Sequence, residues 1–150
     1  DAHPLLPGQE HPGLGCLDAL VGMLAMACER LDLDGLAFRP AHYHVAAVAR
    51  GVAAFLDPVD EARFAALRQA LEGLSFADAT ERVEGGGVQV RGTGEPVRWV
   101  AGLMVAAGLG RMGEALHEPE RMKALDEHRR DFDFELTPGW TPPGLARLTP

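Results

Sequence analysis

The hydrophobic period of the chain changes at Gly85-Gly86-Gly87, and that change limits the folds open to it. Before the triplet, apolar residues recur three or four positions apart; beyond it, they alternate with polar ones. The first spacing fits helices packed along one face, and the second fits half-buried strands. A chain holding both is expected to be α/β or α+β, with a small mixed sheet covered by helices and a helix-rich N-terminal half. At 150 residues it suits a single hydrophobic core, placed over residues 1–136 and followed by an extended C-terminal tail over 137–150. A globule of this size removes roughly 68–70% of its unfolded surface from water and folds without disulfides or a structural metal.

Leu17, Leu20, Val21, Leu24, Cys28 and Leu31 predict a helix over 18–31, packed on one face. Leu36-Ala37-Phe38, between Asp34-Gly35 and Pro40, reads as a short buried strand. Pro40 can open a helix over 41–56 with Val45, Val48, Val52, Phe55 and Leu56 inward. Asp57-Pro58 caps and starts another, reaching residue 73. Ser75 caps a shorter helix with Phe76, Ala79 and Val83 inward, ended by the glycine triplet. Val88 and Val90, then Val97 and Trp99, alternate with polar residues around Gly92-Thr93-Gly94, the pattern of a β-hairpin. Residues 101–109 suit either a buried strand or a glycine-rich helix; Pro119 starts a helix through Arg130, and Phe132, Phe134 and Leu136 mark a strand.

The formal charge of −8 repels phosphate backbones and anionic lipid, so no nucleic-acid or membrane partner is expected without a basic patch, and Arg91, Arg98, Arg129 and Arg130 form none. Cys16 and Cys28 have no ligand or disulfide spacing, which favours a reducing, cytoplasmic setting. The chain starts at Asp1 rather than Met, as expected where an N-terminal segment has been removed or left out.

His42 and His44 are the first candidates for chemistry. On extended backbone, positions two apart share a face and two imidazoles can meet one metal or one ligand; on a helix they diverge by roughly 200°. Arg39 and Tyr43 adjoin them as candidate partners, and a divalent metal such as zinc would need a third ligand from His11, His3, Asp57 or Asp60. Capping or packing histidines are the plainer expectation.

Gly108-Leu109-Gly110-Arg111-Met112-Gly113 spells GxGxxG, with Asp131 and Asp133 about 20 residues on. Too little chain follows for the parallel strands of a dinucleotide fold, so a close-packed turn is expected and no cofactor. Gly13-Leu14-Gly15 could present amides to an anion, and Cys16 could serve as a nucleophile there, although no base is identifiable. Two functions follow as expectations. One is a binding or regulatory domain that self-associates through residues 101–110 and Trp140. The other is a small enzyme or ligand-binding domain with a pocket at residues 39–44 using His42, His44 and Arg39.

Overall fold

The computed structural model describes residues 17–143. In chain order these form α1 (Leu17–Arg30), β1 (Ala37–Phe38), α2 (Tyr43–Ala49), β2 (Ala53–Phe55), α3 (Pro58–Ala70) and α4 (Phe76–Glu84). After the glycine triplet come β3 (Val88–Val90), β4 (Met104–Ala106), α5 (Gly110–Ala115), α6 (Pro119–His128) and β5 (Phe134–Leu136). The fold is α+β, and four of the six described helices precede Gly85. Its strands make two antiparallel sheets, one in the order β1-β4-β2 and the other β3-β5. β1 and β2 flank β4 on opposite sides, so β1-α2-β2 is a β-α-β unit split by an inserted antiparallel strand. Helix α3 touches β2, β5 and α6 and thereby joins the two sheets.

The helix starts are set locally. Asp57 accepts from the Val59 amide at 2.8 Å, Pro58 occupies the first turn, and Asp60 and Glu61 place negative charge at the positive end of α3. The Glu61 carboxylate also accepts from the Phe55 amide at 2.8 Å, tying α3 to β2. Ser75 caps α4 by accepting from the Asp78 amide at 3.1 Å. Between these elements lies an aromatic cluster of Tyr43, Phe55, Phe64 and Trp99, with centroid separations of 5.3–6.3 Å. Most of its pairs meet edge to face, the geometry favoured by ring quadrupoles. The Trp99 indole donates to the Pro40 carbonyl at 3.0 Å, which satisfies its N–H within the core.

Several expectations are corrected. The helix expected over 41–56 stops at Ala49, and Ala53–Phe55 pairs with β4 as a strand. An alanine- and valine-rich run suits either state, and here an open sheet edge outweighs helix propensity. Val45, Val48 and Val52 are exposed, and Tyr43, His44 and Ala46 are the buried residues of α2, which packs against α4. Phe76 is likewise exposed. The hairpin expected over residues 88–99 forms in part: the Val97 amide donates to the Val88 carbonyl at 2.9 Å and the Val90 amide to the Glu95 carbonyl at 2.8 Å around a single Gln89–Pro96 bridge, while β3 pairs along its whole length with β5. Residues 104–106 are a strand, buried at all three positions in the centre of its sheet. Ala107, Gly108 and Gly110 of the same apolar segment are exposed.

Trp140 is also turned inward, onto the body of its own chain. Its indole donates to the Gly85 carbonyl at 3.1 Å, and Arg82 lies 4.9 Å from the ring centroid. A Cβ at Gly87 would come within 2.8 Å of the indole, and one at Gly85 within 2.8 Å as well. The triplet that ends α4 is thus also the seat of a tryptophan from the tail. Gly87→Ala is expected to unseat the ring and cost about 1–3 kcal/mol. Gly51→Ala, whose Cβ would meet nothing within 4 Å, is expected to leave the melting temperature within a degree or two of wild type, roughly 0.5 kcal/mol. Equal melting temperatures for the two variants would rule out the Trp140 seat.

Candidate functional site

The two histidines do meet, through a helix cap. His42 is the N-cap of α2 with extended φ and ψ of −130° and 153°, and His44 lies in the first turn that follows. The change of backbone conformation between them stacks the rings, 5.5 Å between centroids and 10° between planes. Glu84, at the end of α4, brings Oε1 to 3.2 Å from His42 Nδ1. The tautomer that donates from Nδ1 to this carboxylate leaves Nε2 as an acceptor. His44 is only 8% exposed, and its Nδ1 has no hydrogen-bond partner among the described residues. Burial pushes its pKa below the ordinary histidine value, the neighbouring His42 adds to the effect, and Glu84 opposes it. The inner ring is accordingly neutral near pH 7.

His42 and Glu84 border a cleft of about 370 Å³. Its lining includes His42, Glu84 and Gly85 from around the end of α4, and Pro96, Arg98 and Trp99 from the segment after β3; His44 is not part of it. The volume lies near the lower end of small-molecule sites, which run from about 300 to 1,000 Å³. Chemically the cleft offers a carboxylate–imidazole pair able to accept a proton, a guanidinium and an aromatic wall. None of its described lining residues carries a hydroxyl or thiol, so it holds no side-chain nucleophile of the serine or cysteine type. Glu84 and Trp99 had no signal in the sequence that would place them beside His42, and Arg98 stood out only as a basic residue.

Arg39 does not join the histidines. Its guanidinium donates to the Ala101 carbonyl at 3.1 Å and lies near enough to Asp60 to act on its charge. Burial raises the Asp60 pKa and Asp57 adds to the rise, while Arg63 and Arg39 counter it. Tyr43 belongs to the aromatic core, where burial raises its pKa above the ordinary value. Among the described residues no three His, Cys, Asp or Glu side chains are grouped to hold a metal ion. His3, His11, Cys16 and the Gly13-Leu14-Gly15 turn lie outside the described residues.

The GxGxxG segment is a strand-turn-helix whose interior is filled by the chain itself. Gly108 and Gly110 adopt φ of 77° and 58°, and a Cβ at Gly110 would lie 2.5 Å from the Asp34 carbonyl oxygen. The Met112 amide donates to that same carbonyl at 2.8 Å, and Arg111 pairs with the Asp34 carboxylate. The amides and the close approach that a pyrophosphate would need are used by the loop before β1, and the flanking strands are antiparallel to β4.

A second candidate surface is helix α1. Ten consecutive residues, Ala19 to Cys28, include no polar side chain, yet Cys28 is the one described α1 side chain that is buried. Leu20, Met23, Leu24 and Met26 are 50%, 64%, 40% and 52% exposed, so the expected packing of this helix on one face does not occur. Fourteen residues span about 21 Å, short of a hydrocarbon layer, and no described helix is long and apolar enough to cross a membrane.

Searches against protein-family models, curated proteins and solved structures found no match to this chain.

Proposed function

We propose that the chain is a protein-binding domain that acts by self-association, with α1 as its contact helix. The observation that carries this reading is the exposure of a helix apolar on nearly every side, a composition that belongs in an interior. Leu31 and Leu33, 68% and 50% exposed, continue the surface beyond the helix end. A second copy fits by symmetry. In an antiparallel α1 pair centred on Leu24, that residue meets its own copy at the two-fold axis.

Covering these four half-exposed side chains in both copies contributes about 6–12 kcal/mol, comparable with the roughly 4–15 kcal/mol that association costs. The leucines after α1 are therefore needed, and the expected dimer is weak, with a Kd of about 1–100 μM. Sedimentation equilibrium up to about 200 μM is expected to show a monomer–dimer equilibrium, abolished by Leu24→Glu with no loss of thermal stability. A wild-type monomer throughout that range overturns the reading. So does a dimer indifferent to Leu24→Glu.

A further inference from the structure

We infer that the cleft between the end of α4 and residues 96–99 binds a small α-amino acid as its zwitterion, the ammonium on Glu84 and His42 and the carboxylate on Arg98. The inference is independent of self-association through α1. It rests on a cleft of about 370 Å³ whose lining includes both a carboxylate, Glu84, and a guanidinium-bearing residue, Arg98.

The ammonium pole has three contributors. Glu84 uses Oε1 for His42 and keeps a second carboxylate oxygen for a ligand. The tautomer set by that contact makes His42 Nε2 an acceptor, which suits an N–H donor. The cleft also borders the C-terminal end of the nine-residue α4, where unpaired carbonyls carry partial negative charge. Beneath His42, the neutral His44 ring adds no positive charge to compete with an ammonium group.

The carboxylate pole is Arg98. Its main-chain carbonyl accepts from Arg63 at 2.7 Å, so the backbone there is tied to α3. Among the described residues no carboxylate lies within 4.0 Å of its guanidinium, whereas those of Arg91, Arg111 and Arg129 are each paired with one. A cleft lined by both an arginine and a carboxylate suits a ligand bearing both charges. A simple anion would meet Glu84, and a simple cation would meet Arg98. Nucleotides are further disfavoured by the net charge of −8. Between the poles, Trp99 and Pro96 offer an apolar wall for the amino-acid side chain.

The test is saturation-transfer NMR on the intact chain with a pool of the twenty common L-α-amino acids, followed by calorimetric titration of any binder. At least one amino acid is expected to bind. Glu84→Gln and Arg98→Gln should each weaken it tenfold or more, about 1.4 kcal/mol. The N-acetyl derivative, which lacks the ammonium, and the methyl ester, which lacks the carboxylate, should weaken equally. Overturning results are the absence of binding from the whole pool, affinity unchanged by either substitution, or an N-acetyl derivative that binds as well as its parent. Because Arg98 is exposed, Arg98→Gln with the methyl ester decides the question even where Glu84→Gln disturbs the fold.

Discussion

Replacing Phe55 by alanine is expected to destabilise the chain by about 3–5 kcal/mol, the largest effect of any single substitution considered. The side chain is 1% exposed, lies 5.3 Å from Phe64 and 6.3 Å from Trp99 between ring centroids, and has the backbone of Gly102 packed against it. A Cβ at Gly102 would come within 2.9 Å of the Phe55 ring, so there is no slack through which the surroundings could collapse into the void. The loss is expected to be a large share of total stability, which for a domain is about 5–15 kcal/mol. Urea unfolding followed by circular dichroism measures it. Phe76→Ala, at a site 43% exposed, serves as the comparison and is expected to cost less than about 1 kcal/mol. Similar losses for the two variants would mean that the aromatic cluster is not the core.

Arg121→Met is expected to cost about 2–4 kcal/mol, through hydrogen bonds rather than charge. Its half-buried guanidinium donates to the Leu56 carbonyl at 3.0 Å, to the Leu116 carbonyl at 2.8 Å, and to that of Phe55. Those carbonyls belong to the end of β2 and the end of α5, so one planar fork on α6 joins three elements. Methionine keeps the apolar stem and leaves the three acceptors bare. Arg121→Lys is expected to recover only part of the loss, because an ammonium group cannot reach all three acceptors from one position. Lys123→Met removes an exposed contact of 3.9 Å to Glu127 and is expected to change stability by less than about 0.5 kcal/mol. If Arg121→Lys restores full stability, the fork geometry is irrelevant and simple charge explains the role.

The candidate cleft was half legible. His42 and His44 stood out by spacing, and the structure brings their rings together, but by means of a cap rather than a continuous strand. Glu84 and Arg98 carried no local sign, since each is an ordinary charged residue until the chain folds back 42 or more positions to place it. Arg39 had looked the better partner because it is near in sequence. Its guanidinium instead reaches the Ala101 carbonyl, 62 positions away.

What the sequence by itself determined are features completed within a few residues. The Asp57-Pro58 and Ser75 caps, the stop at Gly85 and the start of α6 at Pro119 are each satisfied by neighbours, so the residue types alone identify them. Tertiary structure decided the rest. Whether residues 53–55 extend a helix or join a sheet depends on β4, some 50 positions on, and the buried face of α2 depends on its packing against α4. Glycines at 85, 87 and 110 are required by a ring or a carbonyl that arrives from elsewhere in the chain. Helix α1 shows the same division. Its apolar pattern specified a helix that needs burial, but intrachain packing left most of that surface uncovered.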